Sequence, residues 1–175
     1  MTDPNWDAGI DKTIPAKPTH GNWTLALDYV DASKRLKFVV SDERDVPAAA
    51  AVGPAQPQAP AAPAAPAAPA APEKEPNKWS YAKGSECTAD GDPKAPLNPA
   101  NCLITDAPPG ALIAKIGGSL AGKTSDGLKS FVVGSLCVYD TDATTKGIVY
   151  LTMNADPMGL SERSGSIRVK IYRSA

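Results

Sequence analysis

Short apolar segments separated by turn residues dominate the last third of the chain. They are Pro108–Gly118, Phe131–Ser135, Gly147–Pro157 and Ser164–Tyr172, and each contains β-branched or aromatic residues. Gly, Pro, Asn or Asp bounds these segments, which is typical of short strands joined by turns. The pattern predicts an all-β domain built from antiparallel strands.

A second alternating pattern lies near the N-terminus, in Asn22–Val30. Apolar side chains occupy every second position there: Trp23, Leu25, Leu27 and Tyr29. Lys34–Val40 is another strand-like segment, and the residues between the two, Asp31–Lys34, favour a turn. We therefore predict a β-hairpin over Asn22–Val40.

The segment before this hairpin, residues 1–20, is rich in Pro, Asp, Lys and Thr and has no periodicity. We predict an irregular N-terminal arm for it. A lone hairpin is marginally stable in water, and no cysteine precedes Cys87 to crosslink this one. The hairpin must therefore bury its apolar face against residues 77–175.

An Ala/Pro-rich tract, residues 47–76, follows the hairpin, and its prolines recur at every third position from Pro54 to Pro72. Polyproline II has three residues per turn, so this period predicts an extended rod with the proline rings along one edge. A solvated spacer is one interpretation, and a PxxP ligand for an aromatic groove is the other. The alanine-proline composition favours the spacer.

The tract interrupts one predicted domain, residues 21–46 and 77–175, which we expect to be a single antiparallel β-sandwich of about eight strands. A rod separates its two ends, whereas two strands of one sandwich need theirs close together. Either the tract bends, at Val52-Gly53 and at Glu73–Glu75, or the hairpin packs onto a neighbouring subunit. The second arrangement predicts a homo-oligomer or a filament.

The order of the C-terminal segments resembles that in the PA-IL-like family, the small, soluble, calcium-dependent galactose-binding lectins of bacteria. The resemblance rests on GALIAKIGG, FVV, GIVYLTMNAD and SGSIRVKI, which follow one another between Gly110 and Ile171. It implies a jelly-roll type of β-sandwich, a carbohydrate ligand and calcium as the cofactor.

The resemblance also implies that calcium and sugar bind in the loop between the last two strands. The candidate ligands for both are Asn154, Asp156 and Glu162. One inserted alanine separates Asn154 from Asp156, and Glu162-Arg163 stands where the family has two asparagines. Calcium takes six to eight oxygen ligands. The alternative is that Asp156 begins a turn with the following proline, and that Glu162 and Arg163 form a surface ion pair.

Two aromatic residues, Trp79 and Tyr81, follow the Ala/Pro tract. Exposed aromatic rings stack on the apolar faces of sugars, so both are candidate carbohydrate-binding residues. The other interpretation is that the pair anchors a strand in the core. The family's histidine-containing contact loop has no counterpart in Asp90–Asn101. The predicted function is therefore lectin-like carbohydrate binding through an altered calcium and sugar site.

Charge and hydropathy narrow the choice of partners. The net charge of −1 gives no electrostatic case for binding nucleic acid. No apolar run approaches the ~20 residues that span a bilayer, and the first residues lack the basic region and apolar core of a signal peptide. We expect no membrane span and either a cytoplasmic or a non-classically exported bacterial protein, with carbohydrate or another copy of the chain as its partner.

The chain has three cysteines, Cys87, Cys102 and Cys137. An odd number without an export signal favours reduced thiols. A Cys87–Cys102 disulfide is the alternative for an exported protein, because the two residues flank one loop. Cys137 lies in an apolar run and is expected to be a small buried hydrophobe.

Gly117–Thr124 matches the nucleotide-binding pattern G-x-x-x-x-G-K-[ST]. A phosphate loop binds phosphate through backbone amides at the N-terminus of the helix that follows it. Gly127 and the pair Val132-Val133 leave no room for such a helix here. A parallel crossover would also need a dozen or more residues. We predict a Gly-rich loop between antiparallel strands instead.

The sequence carries no nucleophile elbow and no H-E-x-x-H motif, and its one histidine, His20, lies in the N-terminal arm. Asp140 and Asp142 lie in a predicted turn, where carboxylates are normally solvated. We therefore predict a non-enzyme. The alternative to a lectin-like module is a structural or assembly subunit that uses the sandwich as a scaffold and connects copies through the hairpin and the tract.

Overall fold

The computed structural model describes residues 5–41, 43–44, 75–96, 102–122 and 126–175. These residues form an all-β fold with one short 3-10 helix, Leu160–Glu162, and none of their helices is long and apolar enough to span a membrane. Eight of the strands have four or more residues. The strands are β1 (Ile10–Pro15), β2 (Thr24–Val30), β3 (Arg35–Val40), β4 (Glu43–Arg44), β5 (Glu75–Pro76), β6 (Trp79–Ser80), β7 (Glu86–Cys87), β8 (Leu112–Ile116), β9 (Lys129–Val132), β10 (Leu136–Asp140), β11 (Gly147–Met153) and β12 (Ser164–Arg173).

Two antiparallel sheets contain most of these strands. The first has the order β10-β3-β12-β6-β7, with β1 also paired to β12, and the second has the order β2-β11-β8-β9. One core cluster takes apolar side chains from both sheets, among them Phe38 and Ile171 from the first and Leu112 and Leu151 from the second. The sheets therefore pack face to face, which confirms the prediction of an all-β, sandwich-like fold.

The long strand β12 organises the first sheet. Its alternate residues Ile167, Val169 and Ile171 are fully buried, while the residues between them are partly exposed. This period of two is what one buried sheet face requires. One edge of β12 pairs with β3 and β6, and the other edge pairs with β1.

One of the two inner strands of the second sheet, β8, is buried on both faces. Its inner face packs in the main core, and its outer face carries Ile113, which forms a separate cluster with Trp23 and Tyr150. Leu103 and Ile104 pack against that cluster from the preceding loop. The loop therefore acts as a cover for the sheet.

The predicted hairpin over Asn22–Val40 is wrong, although both of its strands are present. β2 pairs with β11 in the second sheet, whereas β3 pairs with β10 and β12 in the first. The intervening turn is tied to the end of β10 instead, because the Thr141 hydroxyl accepts from the Lys34 amide at 2.7 Å. A turn sequence indicates a change of direction, but it does not distinguish a hairpin from a crossing between layers.

The four alternating residues of the N-terminal pattern do not share one buried face. Leu25 and Tyr29 are exposed, while Ala26, Leu27 and Val30 are buried. The pairing of β2 with β11 contains register shifts, and each shift changes which face of the sheet a side chain takes. A strict alternation in sequence therefore overestimates the buried apolar surface of this strand.

The prediction that residues 1–20 form an irregular arm is wrong for Ile10–Pro15. This segment is strand β1, paired with β12 from Ile10 opposite Ile171 to Pro15 opposite Ser166. Ile14 is fully buried in the core. The apolar signal is too weak to stand out in the sequence, since three polar residues, 11–13, separate its two isoleucines. The edge of β12 supplies the ladder that makes it a strand.

Residues 45–74, with nearly all of the Ala/Pro tract, lie outside the described residues, so the expected polyproline II conformation remains a prediction. The flanks of the tract are paired: Glu43 lies opposite Pro76, and Arg44 lies opposite Glu75. The two ends of the tract therefore lie side by side. Strands from before and after the tract share both sheets, so the geometric reason for exchanging a hairpin between subunits disappears.

Replacing residues 54–72 with a short Gly/Ser loop tests this arrangement. We expect the free energy of unfolding to change by less than about 1 kcal/mol, because the entropy of closing a loop varies slowly with its length. Urea unfolding and light scattering of both chains measure stability and mass. Release of monomers from an oligomer by the shortened chain would contradict the closed insertion and restore subunit exchange.

Candidate functional site

A cleft of about 270 Å³ lies between the loop after β6 and the loop before β12. Its polar lining includes Tyr81, Asp156 and Glu162, and its apolar lining includes Pro96 and Pro109. Three of the five residues that the sequence suggests for carbohydrate binding thus meet at one place.

Tyr81 is held in a fixed position at the cleft. Its hydroxyl donates to the Asp92 carboxylate at 3.2 Å. Its ring lies so close to the backbone of Gly110 that a Cβ there would be 2.9 Å from a ring carbon, and Gly110 has a φ of +80°. Burial raises the pKa of the Tyr81 phenol, so the group stays protonated and keeps donating.

Asp156 reaches the cleft from a tight turn. Its side-chain Oδ1 accepts from the Met158 amide at 2.9 Å, and its carbonyl accepts from the Gly159 amide at 3.0 Å. The Asp-Pro turn that the sequence suggests is therefore present. The same turn leads into the 3-10 helix that carries Glu162, so it brings both carboxylates to one cleft.

The expected surface ion pair between Glu162 and Arg163 is wrong. The Arg163 side chain is buried, with 5% of its surface exposed, and its guanidinium donates to the carbonyls of Asp156 and Ala16. Burial lowers the pKa of Arg163, although the charge of Asp156 opposes this shift. Arg163 therefore ties the turn to the N-terminal segment instead of pairing at the surface.

Asn154 does not line the cleft; it is fully buried and holds the neighbouring loop in place. Its Nδ2 donates to the carbonyls of Ile104, Ala107 and Pro108 at 3.0 to 3.2 Å. Its Oδ1 accepts from the Ile104 amide at 2.9 Å. The amide side chain is thus occupied by backbone groups.

Trp79 is buried as well, and its Nε1 donates to the Gly110 carbonyl at 2.7 Å. This is the strand-anchor interpretation of the aromatic pair. It holds in full for Trp79, whereas Tyr81 packs against the core and stays partly exposed at the cleft. The two residues act together, because Trp79 fixes the glycine backbone against which the Tyr81 ring lies.

The calcium site that the resemblance implies does not fit these residues. The Asn154 amide is already used by the backbone, and the Asp156 carbonyl binds a guanidinium, whose positive charge would repel a cation. In the described ranges, no group of three or more His, Cys, Asp or Glu side chains could hold a metal ion. Calcium requires six to eight oxygens, and the described residues of this cleft supply too few.

No disulfide joins the three cysteines, all of which lie in the described part of the chain. Burial raises the pKa of Cys87 to about 12, so this thiol stays protonated at neutral pH. Cys102 lines the cleft and Cys137 packs against the core, and both are half-buried. The alternative Cys87–Cys102 disulfide is therefore not formed here.

The false nucleotide motif lies where it is predicted, in the connection between the antiparallel strands β8 and β9; residues 123–125 are outside the described part. The Asp126 carboxylate accepts from the amide and the hydroxyl of Ser119 at 3.0 and 3.1 Å. A Cβ at Gly118 or Gly122 would clash with this carboxylate. The two glycines therefore leave room for the Asp126 carboxylate, which takes up the amide of the loop.

Lys115 is a residue whose role sequence reasoning missed. Its side chain is fully buried, and its Nζ donates to Asp126 at 2.6 Å and to the Ser119 carbonyl at 2.7 Å. The ammonium also lies 4.7 Å from the Trp23 ring centroid, a cation–π contact. A lone lysine inside the apolar strand ALIAKI is the signal that could have revealed it.

No protein-family model and no curated protein matches this chain. The lectin resemblance therefore depends on the strand motifs alone.

Asp126→Asn should destabilise the protein by about 3 kcal/mol, because it leaves the buried Lys115 ammonium without its counterion. Lys115→Met is the matched control: it removes the buried charge as well and should cost about 1 kcal/mol or less. The pKa of Asp126 is lowered by its bond to Lys115. The ion pair's contribution is therefore present at neutral pH and is lost as the pH falls through that lowered pKa. Urea unfolding at pH 7 and pH 3 should show the Asp126→Asn deficit shrinking in acid; equal deficits for both variants would contradict this account.

Calcium at millimolar concentration should leave the melting temperature unchanged relative to chelator, because ligand that does not bind cannot stabilise the folded state. Thermal melts of the native chain and of Asp156→Ala measure this. A calcium-dependent rise in the native chain that Asp156→Ala removes would show that the cleft holds the ion after all.

Proposed function

We propose that this chain is a non-enzymatic, lectin-like carbohydrate-binding module whose ligand occupies the cleft at Tyr81, Asp156 and Glu162. The observation that carries the proposal is the meeting of one anchored aromatic ring with two carboxylates in a single concave site.

The lining matches the two kinds of surface that a sugar presents. A pyranose ring has an apolar C–H face, which can lie on Tyr81 and against Pro96 or Pro109. Its edge carries hydroxyl donors, which the carboxylates of Asp156 and Glu162 can accept. The cleft is slightly smaller than the ~300 Å³ at which typical small-molecule pockets begin. Its size therefore favours one sugar ring over a longer chain.

The charge of the lining selects among sugars. Asp156 and Glu162 are negative, and the Asp92 carboxylate accepts from the Tyr81 hydroxyl. Among the described residues that line the cleft, none is Lys, Arg or His. Like charges repel in such a confined site, so uronic and sialic acids are disfavoured, while neutral sugars and amino sugars fit.

Binding should not depend on calcium, since the residues present do not form a calcium shell. In the resembled family the cation is part of the sugar site. Here the Arg163 guanidinium binds the Asp156 carbonyl instead and fixes the same turn. The site is thus an altered one, in which direct carboxylate contacts take the place of metal contacts.

A structural or assembly subunit is the second candidate function. Its specific support is the pair of apolar side chains exposed on the outer face of β10, Leu136 and Val138. A monomeric soluble protein gains nothing from exposing them together.

A glycan array probed in chelator should identify a neutral or amino sugar, and calorimetric titration then gives its affinity. Tyr81→Ala should weaken binding about fivefold to tenfold, the equivalent of an aromatic stacking contact, and Glu162→Gln should weaken it several-fold. Met158→Ala, a change at a highly exposed side chain in the same loop, is the control and should have no effect. Absence of any sugar ligand, or binding that both cleft variants retain in full, would reject the proposal.

A further inference from the structure

Strand β10 forms an open edge of the first sheet. It pairs with β3 on one side, and within the described part of the chain no strand pairs with its other side. An unpaired edge exposes backbone amides and carbonyls that can accept another strand.

Two hydrogen bonds show which residues of β10 direct their backbone amide and carbonyl groups to the open side. The Val40 amide donates to the Ser135 carbonyl at 2.9 Å, and the Thr141 amide donates to the Lys34 carbonyl at 2.8 Å. In an antiparallel ladder the backbone groups of alternate residues face the same neighbour. The open edge therefore presents the backbone groups of the three intervening residues: Leu136, Val138 and Asp140.

The side chains at this edge are not protected in the usual way. Leu136 is 67% exposed and Val138 is 53% exposed, both on the outer face of the sheet. Natural edge strands are usually interrupted by proline, a bulge or a charge near their centre. The one charge in β10, Asp140, lies at the end of the strand and is paired with Arg35 of β3.

We propose that β10 is a docking edge for a second copy of this chain, which adds its own β10 antiparallel about a two-fold axis at Cys137. The two first sheets then become one continuous sheet across the axis. Such an isologous contact is closed and gives a dimer, not a filament.

The apolar and charged positions select this register. With the axis at Cys137, Leu136 lies opposite Val138 of the partner subunit, and Asp140 lies opposite Gly134 of the partner subunit. An axis at Val138 would place the Asp140 carboxylate against the partner's Leu136, and an axis at Tyr139 would place it against the partner's Val138. The register at Cys137 joins four apolar side chains and leaves both Arg35–Asp140 ion pairs solvated.

The small size of the contact sets the expected affinity. A five-residue strand buries well under the ~1,200–2,000 Å² of a standard stable interface. We therefore expect a weak dimer that forms at high protein concentration and dissociates on dilution. A lysine at Leu136 or Val138 would face an apolar side chain of the partner and should weaken the dimer.

Sedimentation across a hundredfold range of concentration tests the dimer. The native chain should rise toward twice the mass of one chain, and Leu136→Lys and Val138→Lys should associate at least tenfold more weakly. Met158→Lys is the matched control, since Met158 is 89% exposed but lies outside β10. A native chain that stays monomeric throughout, or variants that associate as the native chain does, would overturn the proposal.

A thiol oxidant tests the register. Opposed residues of a non-hydrogen-bonded pair have Cα atoms about 4.5 Å apart, within the range that a disulfide bridges. In a Cys102→Ser background the Cys137 thiols of the two subunits should crosslink at high concentration, and adding Cys137→Ser should prevent it. A reversible dimer that never crosslinks would overturn the register at Cys137.

Shortening residues 54–72 tests the occupant of the edge. Dimers that appear only in the shortened chain would show that the tract covers this edge, and would overturn a second copy as its occupant.

Discussion

The side chain of Asn77 bridges the place where the Ala/Pro tract leaves and re-enters the sandwich. It donates to the carbonyls of Ser41 and Arg168 at 2.6 and 3.1 Å and accepts from the Arg168 amide at 2.9 Å. Ser41 precedes the tract, Asn77 follows it, and Arg168 is in β12. One buried amide thus fills the gap along the edge of β12 between β3 and β6. Burying these groups unpaired would be costly, so the three bonds fix how the chain closes.

The cleft depends on this closure. Because Asn77 holds the chain at β12, the next residues enter as β6, and Trp79 reaches the core and binds the Gly110 carbonyl. Gly110 in turn provides the flat backbone for Tyr81. On the other side of the cleft, Arg163 fixes the turn that presents Asp156. The candidate site is therefore built from two loops whose positions are set by buried hydrogen bonds, which is how a loop site becomes preorganised.

The sequence was sufficient where a signal is local. Alternation and turn residues predict the all-β fold, and the residue types at Tyr81, Asp156 and Glu162 are the ones that meet in the cleft. It was insufficient where the partner is distant. Nothing in Asn22–Val40 shows that its two strands separate into different sheets, because ladder partners about a hundred residues away decide this. The same holds for Asn154, because an asparagine can serve as a metal or sugar ligand or can hold a loop through hydrogen bonds to its backbone. It also holds for Arg163, whose burial depends on carbonyls that folding brings together.

If the cleft binds one sugar ring and β10 binds a second copy, as we propose, the two contacts have a common consequence. One sugar ring offers few contacts, so the affinity of a single cleft is necessarily low. A dimer with two clefts converts the second binding event on a glycan surface into an intramolecular one, and such linkage can raise avidity by ~10²–10⁴ without any new contact. The gain requires that both clefts reach the surface at once, so it is lost if the partner's strand orients them apart. If both clefts do reach the surface at once, the exposed apolar side chains on β10 are the feature that turns a weak site into an effective one.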